Sequence, residues 1–166
     1  MNRRSALVAS AAALFLLAGC ASPPGAGVHP GAQGGASWSG RLALRIDSEP
    51  VQTFSAVFDL RGTPQAGELT LTTPIGSTLA VLQWSPGQAL LKDGSQTRRY
   101  GSVDALIEAA TGAAIPVDAL FGWLAGRDEP VPGWRADLSQ FAGGRLQATR
   151  QSPQPGADLR IVFERS

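Results

Sequence analysis

The sequence predicts a mainly β protein: an antiparallel sheet that curls into a barrel or half-barrel, with two helices over one face or one mouth of it. Three observations carry this reading. From Trp38 onward, apolar and polar residues alternate with a period of two. Turns containing Gly or Pro cut the alternation into short runs. Over residues 102–125 the apolar residues recur at helical spacing instead.

In chain order, the first run puts Gly40, Leu42, Leu44 and Ile46 on one face and Arg41, Ala43 and Arg45 on the other, a strand with one buried side. The second sets Phe54, Ala56, Phe58 and Leu60 against Thr53, Ser55, Val57 and Asp59. Leu69 and Leu71 continue the pattern between Glu68, Thr70 and Thr72. Strands follow over Leu79–Trp84, Ala89–Leu91 and, after an Asp93-Gly94 hairpin turn, Gln96–Tyr100. Six short strands spaced this way form an antiparallel meander.

Ser102 is an N-cap for a helix whose apolar face is Val103, Leu106, Ile107 and Ala110, with Gly112 as its stop. Pro116 suits the first turn of a second helix, with Val117, Leu120, Phe121 and Leu124 as its stripe and Gly126 beyond its end. Strands resume over Trp134–Leu138, Arg145–Arg150 and Leu159–Glu164, roughly nine in all. Helices inserted into a continuous sheet cannot join it, so they cover it. No internal repeat is visible.

The residues before Trp38 read differently. Arg3 and Arg4, an apolar stretch from Ala6 to Leu17, and Leu17-Ala18-Gly19-Cys20 make a secretory signal over 1–19, too short to span a bilayer as a mature helix. Leu-Ala-Gly-Cys resembles the bacterial lipobox, with the only cysteine of the chain at its lipidated position. Cleavage before Cys20 leaves 12 basic residues against 13 acidic. Acyl chains on Cys20 contribute about 0.8 kcal/mol per buried CH₂, and two or more of them anchor a protein firmly. Ala21 follows the cysteine where inner-membrane retention usually has Asp, so that sorting pattern implies the outer membrane. Residues 20–37 then read as a lipidated cysteine and a Pro/Gly-rich tether, able to reach about 60 Å at roughly 3.5 Å per residue. The domain proper is expected over 38–166.

The 166 residues carry 14 basic and 13 acidic groups, 43% hydrophobic residues and only 16% charged ones, a balance that argues for one folded domain and against nucleic acid as partner. A single cysteine excludes a disulfide framework within the chain. The only histidine, His29, lies in the tether, and Lys92 is the only lysine. Imidazole-based catalysis, His/Cys metal sites and phosphate-cradling loops therefore have no candidates, so no enzyme activity, metal or cofactor is expected. The carboxylates Asp47, Glu49, Asp59, Asp93, Asp104, Glu108, Asp118, Asp128 and Glu129 fall at strand ends, turns and exposed helix positions.

The loop Thr72-Thr-Pro-Ile-Gly-Ser-Thr78 stands out, because strand connections normally carry polar tips. Pro74 and Gly76 bracket Ile75 at its apex. The local pattern leaves two outcomes open: Ile75 folds back into the core, or it projects as an apolar finger toward a lipid surface or an acyl chain.

Four stretches now make the chain recognisable. Trp38-Ser-Gly-Arg-Leu-Ala-Leu-Arg45, Leu71-Thr-Thr-Pro-Ile-Gly-Ser-Thr78, Gly112-Ala-Ala-Ile-Pro-Val-Asp-Ala-Leu-Phe-Gly-Trp-Leu-Ala-Gly126 and Gly133-Trp-Arg135 together resemble the LolB family of outer-membrane lipoprotein receptors, in order and spacing over 38–166. The resemblance implies an unclosed antiparallel β-barrel of about eleven strands with a helical lid over an apolar cavity. It implies a receptor, anchored in the outer membrane and facing the periplasm, that accepts lipoproteins from a soluble periplasmic carrier of similar fold. It shelters their acyl chains and inserts them into the outer membrane. Its partners are that carrier, lipoprotein cargo and outer-membrane lipid, with the receptor itself a monomer. The apolar tip residue needed for delivery corresponds to Ile75, where the family often has Leu. Part of the chain after Phe141 is compressed relative to the family, with Gln151-Ser-Pro-Gln-Pro-Gly156 as a loop.

The inward candidates are Leu42, Leu44, Ile46, Phe54, Phe58 and Leu60 on strands, with Leu120, Phe121 and Leu124 on the lid. The sequence leaves open whether they pack as core or line a cavity, and Trp84, Trp123 and Trp134 could do either. Two other functions fit a similar half-barrel: a soluble lipoprotein carrier, which the lipobox disfavours, and an outer-membrane scaffold, which leaves Ile75 without a role.

Overall fold

A computed structural model of the chain describes residues 35–165. The signal segment 1–19, Cys20 and the tether to residue 34 lie outside the described residues.

Nine strands form one antiparallel sheet: β1 Ala36–Ile46, β2 Gln52–Gly62, β3 Gly67–Thr72, β4 Thr78–Ser85, β5 Gln88–Asp93, β6 Gln96–Tyr100, β7 Trp134–Asp137, β8 Arg145–Arg150 and β9 Ala157–Arg165. Their spatial order is β6-β5-β4-β3-β2-β1-β9-β8-β7, so the first and last strands meet and the sheet remains open between β6 and β7. Among the described residues the count is the nine that alternation alone indicated, not the about eleven implied by family resemblance. The chain between Gly126 and Trp134 carries Pro130 and Pro132, which lack the N–H a ladder needs. After β7 it turns through a short 3₁₀ helix, Phe141–Gly143, instead of pairing.

β1 organises the sheet because both of its edges are used. It pairs with β2 from Ala36↔Gly62 to Ile46↔Gln52, and with β9 from Trp38↔Arg165 to Ile46↔Ala157. Pairing thus begins at Ala36, two residues inside the stretch expected as tether, since backbone hydrogen bonds need no packing side chain. The registers align apolar residues into rows on the inner face. Trp38, Leu60, Leu69, Leu82 and Leu91 run side by side across β1 to β5. Phe54, Leu44, Leu159 and Ala148 form another row across β2, β1, β9 and β8. Burying each such leucine fully stabilises the fold by about 1.5–3 kcal/mol, and Leu44, Leu60, Leu82 and Leu159 are all at 2% exposure or less.

In the family-like motif, Gly40 lies between Phe58 and Phe163 in its row. A Cβ there would collide with the Val162 carbonyl, so the close approach of β9 requires glycine.

The interruption in the alternation forms α1, Val103–Thr111, and α2, Val117–Leu124. The Ser102 hydroxyl accepts the Ala105 N–H at 3.1 Å, and the Gly112 N–H donates to the Glu108 carbonyl at 2.8 Å. Pro116 sits one residue earlier than expected, as the N-cap of α2, with extended backbone. It has no side chain to cap the helix, and the Asp104 carboxylate accepts the Val117 N–H instead, at 3.0 Å. That bond ties the start of α2 to the first turn of α1. α1 packs on β4, β5 and β6. α2 reaches the inner face through Phe121, whose ring meets those of Trp38 and Trp84, and reaches β7 through Trp123 against Trp134.

Candidate functional site

Two features compose the site: the inner face beneath the helices, and the loop joining β3 to β4. The loop is built from its own hydrogen bonds. Thr73 donates its N–H to the Ser77 carbonyl at 2.8 Å, while its carbonyl accepts the Gly76 N–H at 2.9 Å and its hydroxyl accepts the Ser77 N–H at 3.0 Å. Gly76 has φ of 89°, a left-handed conformation open to glycine at little cost, and a Cβ there would touch nothing. With its base closed in this way, the loop cannot fold Ile75 back. Ile75 is 90% exposed, so of the two outcomes left open by the local pattern the side chain takes the projecting one. Pro74 and Gly76 flank it, both exposed.

All nine inward candidates lie on the inner face or on α2. Leu44, Ile46, Phe58, Leu60, Leu120, Phe121 and Leu124 are buried within one apolar cluster. Leu42 and Phe54 are only half-buried and pack against that cluster from its border. The side chains therefore pack on one another and leave little accessible surface.

Several residues of this cluster were not singled out by sequence pattern. Ala113 and Ile115, in the connection between the helices, are buried; Leu106 and Ile107, expected on the apolar face of α1, are buried as well. Trp38 is buried too, and its signal was its place at the start of the first alternating run. Its ring centroid lies 5.6 Å from that of Phe121, at 80°. The Trp38 indole N–H has no hydrogen-bond partner, whereas Trp84 donates its own to the Thr63 carbonyl at 3.1 Å. Trp123 is fully buried and Trp134 half-buried.

Charge reaches this face only at its edges: Arg98 continues the row of Leu82 and Leu91, and Arg150 that of Ile46 and Ala157, with its guanidinium 5.7 Å over the Trp134 ring. The ion pairs Arg45–Asp47, Arg61–Asp59, Arg98–Asp93, Arg127–Glu129 and Arg160–Asp158 are largely solvent-exposed, where each contributes about 0–1 kcal/mol. The Asp137 carboxyl is held below the usual carboxylate range by hydrogen bonding from the Ser139 backbone N–H, in a turn after β7. Among the described residues, no three His, Cys, Asp or Glu side chains are grouped to hold a metal ion. No helix among them is long and apolar enough to cross a membrane.

Comparison with known proteins adds the family. The family described as outer membrane lipoprotein LolB matches residues 36–165. An outer-membrane lipoprotein LolB of Bordetella petrii is 34% identical over 172 residues, covering 89% of this chain and 86% of its own. One of Cupriavidus pinatubonensis is 36% identical, covering 97% of this chain and 77% of its own. One of Ralstonia nicotianae is 33% identical, with coverages of 84% and 69%.

Proposed function

The chain belongs to the outer membrane lipoprotein LolB family, the premise from which we propose how its residues receive lipoproteins and insert them into the outer membrane. It is an outer-membrane lipoprotein of the lipoprotein transport route. Its work in that route is binding and transfer, with no catalytic step.

Cys20 carries the acyl anchor, and residues 21–35 tether the domain to the membrane. Cargo arrives on a periplasmic carrier of similar fold. Its acyl chains enter where Leu42 and Phe54 are half-exposed at the border of the apolar cluster. They displace α1 and α2, which act as the lid, and replace helix contacts with contacts to Leu44, Ile46, Phe58 and Leu60. Leu120, Phe121 and Leu124 on α2 close over the chains. An exposed acyl chain of some sixteen carbons costs on the order of 10 kcal/mol in water, so an apolar interior is sufficient to hold it. Transfer runs downhill, each successive site binding the chains more favourably than the last.

The observation that carries this reading is Ile75, 90% exposed on a loop held by three hydrogen bonds. A packed inner face alone would suit a structural scaffold. A rigid loop that holds a large apolar side chain in water instead favours a partner that takes up that side chain, and a bilayer does so. The test is a transfer assay with lipoprotein-loaded carrier and phospholipid vesicles. Ile75→Glu is expected to accept cargo at the normal rate and fail to release it to vesicles. Loss of acceptance as well would overturn the assignment of Ile75 to delivery.

A further inference from the structure

Three large apolar side chains are exposed among the described residues: Val51 at 50%, Ile75 at 90% and Val162 at 52%. Val162 lies between Arg41 and Arg145 on the outer face of the sheet. The other two share one end of it. Ile46↔Gln52 closes the turn 47–51, and Thr72↔Thr78 closes the loop 73–77. β2 and β3 are antiparallel neighbours with Val57 opposite Thr72, so the turn and the loop leave the sheet from the same end. The turns 94–95 and 151–156 leave from that end as well, the latter held beside Asp47 by an Asp47 N–H to Gly156 carbonyl bond of 2.9 Å.

The composition of this rim is uneven. Pro50, Val51, Pro74, Ile75, Pro153 and Pro155 are all exposed on it, while its four turns contain no Lys or Arg and two carboxylates, Asp47 and Glu49, both in the turn of Val51. β2 runs five residues beyond the Val57–Thr72 pair to Gln52. At about 3.3 Å per residue, the turn carrying Val51 therefore stands roughly 17 Å past the base of the Ile75 loop, so a flat bilayer reached by Ile75 also meets Val51.

The point where the tether joins the domain fits this orientation. The described chain enters the sheet at Ala36, opposite Gly62, at the end away from the rim. The eleven residues of β1 separate the two ends by about 36 Å. The sixteen steps from Cys20 to Ala36 span about 55 Å when extended, enough to run back along the domain.

We propose that the rim carrying Val51 and Ile75 is a two-point bilayer contact, with Val51 inserting together with Ile75 and the domain standing rim-down within the reach of its tether. This rests on the reading of Ile75 as the delivery residue. The guanidinium groups that reach the rim are engaged within the domain, Arg45 with Asp47 and Arg150 with the Pro155 carbonyl, so the contact rests on its apolar residues and needs no anionic lipid.

The lipidated full chain, with Val51→Cys labelled by an environment-sensitive fluorophore, tests this in phosphatidylcholine vesicles containing nitroxide-bearing lipid; acylated Cys20 does not compete for the label. Ile75→Cys and Gln88→Cys, the latter at the opposite end, are labelled in parallel. Quenching at 51 and 75 but not at 88, unchanged by 0.5 M salt (about a 4 Å screening length), is the expected result. Quenching at 75 without 51 overturns the two-point contact and leaves the Ile75 reading in place. Quenching at neither position overturns both. As a functional readout, Val51→Asp is expected to lower delivery to vesicles about tenfold while acceptance from the carrier is unchanged. Delivery at the normal rate would overturn the proposal.

Discussion

Phe121 of α2 stands edge-on to Trp38 of β1, with ring centroids 5.6 Å apart and planes at 80°, and holds the second helix on the sheet. The same ring meets Trp84 at 6.3 Å and 83°, so one side chain joins α2 to two strands that are not neighbours. Edge-to-face geometry contributes about 0.5–1.5 kcal/mol per pair beyond burial. Phe121→Ala should cost about 3–5 kcal/mol in denaturant unfolding. It should also raise uptake of a fluorescent fatty acid, because the helix that closes the inner face is loosened. Lower stability with unchanged uptake would separate α2 from access to the interior.

The two tryptophans facing Phe121 should respond unequally to loss of their indole N–H. Trp38 leaves that group unpaired, whereas Trp84 bonds the Thr63 carbonyl. Trp84→Phe forfeits a hydrogen bond and Trp38→Phe removes an orphan donor. Trp84→Phe should therefore be the more destabilising by about 1 kcal/mol. Equal losses in urea titrations of both variants would refute this.

Much of the architecture can be read from local pattern, for identifiable reasons. The runs at 40–46 and 54–60 alternate because one face of each strand is buried, and Ser102 and Gly112 end a helix through groups that act within four residues of themselves. What local pattern does not contain is the set of long-range decisions. β1 beside β9 joins the two ends of the domain, and nothing near Trp38 specifies Phe121 as its neighbour. The position of Ile75 was undetermined for a related reason. Proline and glycine around an apolar residue permit either direction, and the outcome depends on Thr73 bonding Ser77 and Gly76 across the loop. Val51 gives no signal as an isolated residue, and its interest comes only from the shared end of β2 and β3.

Gly40→Ala should destabilise the domain by about 1–3 kcal/mol, because the added methyl meets the β9 backbone at Val162, which a side-chain rotation cannot relieve. Gly76→Ala meets no atom and should cost only the strain of its left-handed backbone, about 1 kcal/mol. Thermal unfolding of the two variants side by side checks the order, and a larger loss for Gly76→Ala would contradict the close approach of β9 at Gly40.

Ile75→Glu should leave unfolding free energy within about 0.5 kcal/mol of the parent, since a side chain 90% exposed has little packing to lose. Its effect on delivery then cannot be attributed to the fold. A stability loss of several kcal/mol would instead mean that Ile75 contributes to packing.

The tether makes its own prediction through length. Cys20→Ala should release the protein from membranes while acceptance of cargo continues, because the anchor and the inner face are separate parts of the chain. Removing about ten residues between Ala21 and Gly35 is a different perturbation: it leaves the anchor but cuts the extended reach to roughly 20 Å. That is less than the about 36 Å between the Ala36 end of β1 and the rim, so the rim could no longer turn to the membrane. Acceptance from the carrier should persist while delivery from the anchored protein falls. Replacing the same residues by a Gly/Ser segment of equal length should restore delivery, because only reach is required. Undiminished delivery by the shortened chain would show that the rim does not face the bilayer from which the tether starts.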